Sequence, residues 1–372
     1  MSNDTIKARL EKLQNMIRTA GSDVVALVPG ATMTYVTGIS FHLSKRPLVL
    51  FIPTTGDPTL IIPVLEVSRV AEDPPYPIQF FTYTDSEGYN PAFERACKAM
   101  GLMGKKVAVE GIKMRVLEGQ LIEKYAPSSL VTSADDMISE IRLHKGESEL
   151  AAMRAAIQIS QKALDETIAK VRVGMTERQI TNLLLLAMAE CGGNNNAFEP
   201  IILAGANSAQ PHGMPGDTPV REGDLLLFDF GTTVDNYPAD ITRTFAVGEI
   251  SDELKKIYGI VLAANEAGIR SLRPGIAAQE VDRATRAVIE AAGYGKYFIH
   301  RTGHGLGLDI HEAPYILEGN TQVLEPGMVF TIEPGIYLPG KGGVRIEDNV
   351  TITATGAEVL TSYPKSLRVI GG

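Results

Sequence analysis

The sequence predicts a small α/β domain over residues 1–138 followed by an α+β domain over residues 139–372. Two observations carry this reading. Short β-rich runs alternate with helical patterns as far as about Ile138, and beyond Lys145 long amphipathic helices separate from groups of strands. The composition agrees: 372 residues at 44% hydrophobic and 21% charged suffice for two packed cores and exclude disordered or collagen-like chains.

In the first domain the strands are VVALVP (24–29), LVLFIP (48–53) and KVAVE (106–110), and the helical patterns fall at 91–100 and 114–125. The Pro-rich connector DPPYP at 73–77 reads as a surface loop. The boundary falls at 139–145, where a helix begins with Leu150, Met153, Ile157 and Leu164 on one side. A second helix spans 176–190 with Thr176 as N-cap and Glu177 in its first turn. Strand patterns follow at 198–203 and 225–230, helices at 252–271 and 277–292, and strands again at 328–332 and 344–353.

Several function classes drop out. The strongest apolar run, Leu183 to Ala189, is far shorter than the roughly 18 residues of a membrane span and is bracketed by polar residues, so no membrane association is expected. The N-terminal MSNDTIKARLEKLQNMI lacks the layout of a signal peptide, which makes a cytoplasmic location the expectation. Cys97 and Cys191 lie too far apart in sequence for a cysteine framework or knuckle. A net charge of −9 argues against nucleic acid as a partner. Four of the six histidines (His212, His300, His304 and His311) fall between 212 and 311, where the chemistry is expected.

Acids occur in that half where strands should be apolar. LLLFDFG places Asp229 inside a strand pattern, where an unpaired carboxylate is costly. Asp240 follows eleven residues later in ADITRTF; the intervening Asp235-Asn236 is turn chemistry, so the two can face each other across a hairpin-like return. Glu333 ends the apolar run of MVFTIEPG, and Glu347 lies in the strand pattern of GGVRIEDNV. Arg345, two residues before Glu347, points to the same face of that strand and is placed to orient Glu347, the substrate, or both. Any one of these acids alone would read as a cap or half an ion pair. Four of them with histidines between do not.

The segment HRTGHGLGLDIHE has the glycine pattern GxGxG, which is not a dinucleotide fingerprint. Its glycines suit close approach of backbone to a ligand, and His304 and His311, seven apart, can reach one cleft as a nitrogen ligand and a proton donor. His212, in the loop AGANSAQPHG, reads equally as a substrate-facing or a plain surface histidine. His42 and His144 read as structural, and His300 stays undecided between a structural and a site histidine. Four carboxylates and one imidazole match Mn²⁺, Co²⁺ or Zn²⁺, and their charge suits two ions roughly 3.5 to 4 Å apart. Such a pair lowers the pKa of a bridging water toward neutrality and clamps a carbonyl oxygen, which is the chemistry of amide hydrolysis.

On these motifs the sequence resembles the pita-bread metallopeptidases, and among them the Xaa-Pro dipeptidases (prolidases) and aminopeptidase P enzymes. The likeness covers the second domain, with a fainter one in the first to the family's creatinase-like N-terminal module. The resemblance implies that Asp229, Asp240, His304, Glu333 and Glu347 bind two divalent ions, Mn²⁺ or Co²⁺ foremost, with Asp240 and Glu347 bridging and Glu333 doubling as general base and acid. Ala239 stands where such enzymes frequently have Ser. It further implies that His212 and His311 bind substrate and steady the tetrahedral intermediate, that Arg345 is the arginine preceding the last ligand, and that Tyr337 and Phe198 line the substrate pocket. The implied substrate is a proline-containing dipeptide or short peptide, and the implied assembly is a homodimer. Methionine aminopeptidase shares the fold but lacks such an N-terminal domain and the Arg-Ile-Glu-Asp pattern; creatinase works without metal. The remaining alternatives are a non-catalytic binding module of this fold, which would have lost ligands, and another small-amide hydrolase or lyase.

Overall fold

The computed structural model describes residues 3–71 and 74–371 and divides into two compact units, Met1–Arg142 and Leu143–Gly372. In the first unit, β1 (Val24–Leu27), β2 (Val49–Pro53), β3 (Thr59–Pro63), β4 (Gln79–Tyr83), β5 (Lys106–Val109) and β6 (Leu130–Ser133) form one mixed sheet in the order β4-β3-β2-β1-β5-β6. The central strands are continuous apolar runs because both faces are covered. Around the sheet lie α1 (Asn3–Thr19), α2 (Ala31–Thr37), α3 (Ser68–Ala71), α4 (Asn90–Ala99), α5 (Val116–Tyr125) and α6 (Asp135–Glu140). The helical spacing of Ile6, Leu10, Leu13 and Ile17 gives α1 its buried stripe.

Two details differ from the sequence reading. The first unit runs on to Arg142, because Ile138 and Ile141 are wholly buried and the Lys12 ammonium donates to the Ile141 carbonyl at 3.4 Å. The 73–77 connector is not simply surface: Tyr76 is buried, its hydroxyl donating to the Val36 carbonyl at 2.5 Å, while Asp73 lies outside the described residues.

The second unit opens with α7 (Glu147–Ile168) and α8 (Glu177–Glu190). Thr176 caps α8: its hydroxyl accepts from the Gln179 amide, and the Gln179 side chain accepts from the Thr176 amide. Both helices share a core with β7 (Ile201–Ala204), β8 (Leu225–Phe230) and β11 (Ile241–Val247), which with β19 (Val369–Ile370) form a sheet in the order β19-β11-β8-β7. β7 starts three residues later than expected, because Pro200 has no amide to give a ladder.

β9 (Thr233–Val234) and β10 (Tyr237–Pro238) make the return between β8 and β11, with Asp235 and Asn236 both at positive φ, as a two-residue hairpin turn requires. Helices α9 (Asp252–Ser271) and α10 (Ala278–Ala291) cover a second sheet of β12 (Gly303–Gly305), β13 (Glu312–Ile316), β14 (Val329–Ile332), β17 (Asp348–Ile352) and β18 (Ala357–Val359), and a hairpin of β15 (Gly335–Leu338) and β16 (Gly342–Arg345). Among the described residues no helix is long and apolar enough to cross a membrane.

The strand expected over 344–353 is two strands. At Ile346–Glu347 the chain leaves the β15–β16 hairpin to join the second sheet, and the Glu347 amide donates instead to the Thr242 carbonyl of β11 at 3.1 Å.

Gly231 sits where β8 ends beside the Ala239 carbonyl, with no room for a Cβ. Gly231→Ala is expected to destabilise the protein by about 1–3 kcal/mol in denaturant unfolding, as overpacking does. Gly119→Ala, in α5 with open space around it, is expected to stabilise by about 0.5–1 kcal/mol. Equal effects would contradict this packing at the β8 terminus.

Candidate active site

The second unit holds a cavity of about 390 Å³ between the β8–β11 pair and the β12–β14–β17 sheet. Nine of the ten residues singled out in the sequence line it: Phe198, His212, Asp229, Asp240, His304, His311, Glu333, Arg345 and Glu347.

Strand register puts them there. β8 and β11 pair antiparallel with Asp229 opposite Thr242, so Asp240, two residues before Thr242, lies on the same side. The Asp240 backbone is clamped by Asn349 of β17, whose side-chain oxygen accepts from the Asp240 amide at 3.2 Å while its amide nitrogen donates to the Asp240 carbonyl. His304 occupies the middle of β12, flanked by Gly303 and Gly305. A Cβ at either glycine would collide with the carbonyl of Thr331 or Ala313, so these glycines admit neighbouring strands and not a ligand, contrary to the sequence reading. Glu333 follows β14 directly; the Thr331 hydroxyl donates to its carboxylate at 3.2 Å and accepts from the His304 amide at 3.2 Å.

The electrostatics are unbalanced. Arg345 forms a buried bidentate-capable fork that is committed elsewhere: it donates to the Asp229 carboxylate, to the Tyr337 hydroxyl at 2.8 Å and to the Thr242 hydroxyl at 3.0 Å. Arg345 reaches Glu347 through a relay, in which the Thr242 hydroxyl donates to Glu347 at 2.7 Å. Asp240, Glu333 and Glu347 share the remaining space. Burial pushes Glu333 up to about 7, and burial with neighbouring carboxylates holds Asp240 and Glu347 well above the ordinary range.

Burial and the nearby His311 hold His304 well below its usual value, so its ring is neutral. Its Nδ1 lies 3.1 Å from the Gly305 carbonyl; with the proton there, Nε2 presents a lone pair 3.3 Å from Glu333 and 3.5 Å from Asp240.

The donor set fits divalent cations. Asp240, His304 and Glu347 each offer a ligand atom within 4.8 Å of the others, and the buried Asp229 Oδ1 has no hydrogen-bond partner among the described residues. An unsatisfied buried carboxylate oxygen beside three crowded acids is what a missing positive charge leaves behind.

Tyr337 departs from expectation. It does not line the cavity; its ring packs back against Gly335, and its hydroxyl sits between Arg345 and His300 Nε2, 2.8 Å from each. His300, undecided from sequence, lines the cavity, and burial together with Arg345 lowers it to about 3. Ile201, Pro211, Arg301 and Ile310 complete the wall. Thr242 is legible in sequence, since it lies two residues after Asp240 and residues two apart on a strand share a face. His300 and Arg301 carried no signal beyond adjacency to the GHG segment. His311 meets His304 ring edge to face at 4.1 Å, and His212 is exposed at the mouth. His42 lies in the first unit, and His144 bonds Glu325 at 2.9 Å away from the cavity.

Residues 151–354 match the family described as Metallopeptidase family M24, and residues 9–144 match the Creatinase/Prolidase N-terminal domain. Among solved structures, the chain is similar to a prolidase from Thermococcus sibiricus (35% identity, TM-score 0.94, all of both chains covered). It is similar also to an Xaa-Pro dipeptidase from Bacillus anthracis (33%, TM-score 0.89, covering 98% of this chain and 100% of that one). An X-Pro aminopeptidase from Thermotoga maritima matches at 32% identity and TM-score 0.83, over 96% and 100% of the two chains. The chain thus belongs to metallopeptidase family M24: a metal-dependent hydrolase with a creatinase-type N-terminal domain ahead of a pita-bread domain.

Proposed function

We propose that the protein hydrolyses the Xaa-Pro bond of dipeptides or short peptides. The observation that carries this reading is the meeting of four carboxylates and a neutral imidazole in one buried cavity, with a carboxylate oxygen left unsatisfied. Asp229, Asp240, His304, Glu333 and Glu347 would hold two divalent ions. When bound, the ions supply Lewis-acid polarisation of the scissile carbonyl and water activated at neutral pH.

The residues do the rest. Glu333, raised by its burial, takes a proton from the attacking water as the carbon–oxygen bond forms. It returns that proton to the proline nitrogen as the carbon–nitrogen bond breaks, so the departing imino group leaves neutral. His212 and His311 face the cavity as donors to the carbonyl oxygen, whose charge grows in the transition state. Arg345 holds Asp229 in place through their ion pair. Phe198, Ile201 and Ile310 offer an apolar wall to a pyrrolidine ring, and about 390 Å³ lies toward the small end of ligand sites, which favours a dipeptide. The relatives named prolidase and Xaa-Pro dipeptidase support the same choice. Manganese or cobalt as the ions, a homodimeric assembly and a cytoplasmic location belong to this proposal, and the first two rest on the resemblance.

Three measurements test it. With Mn²⁺ loaded, Xaa-Pro dipeptides are expected to be cleaved faster than Xaa-Pro-Yaa tripeptides, and both faster than Xaa-Ala; preference for tripeptides would move the reading to an aminopeptidase, and no Xaa-Pro cleavage would end it. Glu333→Gln is expected to lower kcat by about 10²- to 10⁴-fold while the melting temperature stays within a few degrees of wild type. Retention of most of the wild-type turnover would remove Glu333 from its role.

The third measurement follows Mn²⁺ and pH together. Mn²⁺ at a hundred times its Kd is expected to stabilise the metal-free protein by about 2.7 kcal/mol. In the metal-free fold the raised carboxyl groups bind protons more tightly than in the unfolded chain. Their contribution is therefore present at low pH and is lost as pH rises from the ordinary carboxylate range through about 7. At one fixed Mn²⁺ concentration, the Mn²⁺-dependent rise in Tm should be larger near pH 7.5 than at about pH 5. Equal rises at both would show that cations do not take the place of those protons.

A further inference from the structure

Glu177 is a buried carboxylate with no part in the chemistry above. It opens α8, and its side chain is inaccessible to solvent. Three donors converge on it: the Ala204 amide at 2.8 Å and the Asn207 side-chain amide at 3.0 Å on one oxygen, and the Gly216 amide at 2.9 Å on the other. No cation pairs with it among the described residues. Its charge is met by these N–H groups and by the helix end on which it sits.

The donors belong to the two ends of one segment, 204–216, and His212 lies between them. The start of α8 extends the grip: the Glu177 amide donates to the Thr218 carbonyl at 3.1 Å and the Arg178 amide to the Gly216 carbonyl at 3.0 Å. The far side of the segment is fastened to β16 by Ser208, whose hydroxyl donates to the Gly205 carbonyl at 2.6 Å and accepts from the Gly343 amide at 2.8 Å. The His212 imidazole makes no hydrogen bond among the described residues, so its place depends on the backbone that carries it. That backbone is held by the turns Gln210 to Asn207 (2.9 Å) and Gly213 to Gln210 (3.1 Å).

We propose that Glu177 is a positioning residue for His212, binding both ends of segment 204–216 so that the imidazole is presented at the cavity mouth in one place. A carboxylate is required because donors arrive at both oxygens. An amide of the same size would set N–H against N–H at one end and release it. The link to catalysis rests on the function proposed above; the grip does not.

The test uses Glu177→Gln in the full chain, loaded with Mn²⁺. Amides of 204–216 are expected to exchange hydrogen at least about tenfold faster than in wild type, while those of α7 and β8 are unchanged. With an Xaa-Pro dipeptide, kcat/KM is expected to fall about 10- to 100-fold, with the loss in kcat. In a His212→Ala background the same substitution should change kcat/KM less than about twofold, because a group that acts only through His212 has nothing left to position.

Unchanged exchange over 204–216, or an equal kinetic loss in both backgrounds, overturns the proposal. Should Glu177→Gln fail to fold, Glu177→Asp keeps the charge but is one methylene too short to span both ends, and the same criteria apply to it. Absence of dipeptide hydrolysis by the wild type counts against the function proposed above, and hydrogen exchange still decides the grip.

Discussion

Three carboxylates share a buried space in which the Arg345 guanidinium is already committed to a fourth, Asp229. At an effective dielectric constant of about 20, each pair of like charges 4 Å apart repels by about 4 kcal/mol, and burial adds to the cost of ionisation. A fold can keep such a group only by protonating it or by supplying cations. The framework here serves the second outcome, since its strands bring a neutral imidazole nitrogen to the same point and leave an Asp229 oxygen without a donor among the described residues.

The rest of the pita-bread unit holds that crowd in place from behind. Arg243, wholly buried, donates to the Glu347 carbonyl at 2.6 Å, to Asp348 at 2.7 Å and to the Tyr363 carbonyl at 2.8 Å. Lys365 bonds the other Asp348 oxygen at 3.0 Å and the Asn265 side chain at 2.9 Å, and Asn265 donates to the Ile332 and Ile346 carbonyls at 3.0 and 3.3 Å. The residues immediately before Glu333 and Glu347 are therefore tied to one another by a single asparagine. Ligand geometry is fixed by backbone and not by the carboxylates themselves, whose mutual repulsion would otherwise spread them.

The acids were legible in sequence because a charge inside an apolar run is an anomaly that one dimension displays. Thr176 with Gln179, and Asp235-Asn236, were legible for a similar reason, since caps and tight turns are local chemistry. What stayed hidden depends on partners far along the chain. The break at Ile346–Glu347 exists because Glu347 bonds across to Thr242, more than a hundred residues away, and nothing in GGVRIEDNV announces it. The family resemblance implies Tyr337 on the pocket wall, whereas its ring direction follows from its own hairpin. Arg243 was invisible because a buried arginine in a strand looks, in sequence, like an outward-facing one.

The same break determines where the chain tolerates changes of length. Between Arg345, which grips Asp229, and Glu347, which reaches the opposite sheet, a single residue spans two layers, with Ile346 buried in the core. One inserted residue there would separate a guanidinium from the acid it serves through Thr242. The Asp235-Asn236 tip, by contrast, is exposed and bears no side chain of the cavity, so additions there would leave both flanking aspartates on their strands. The hairpin tip accepts added length, and the link does not.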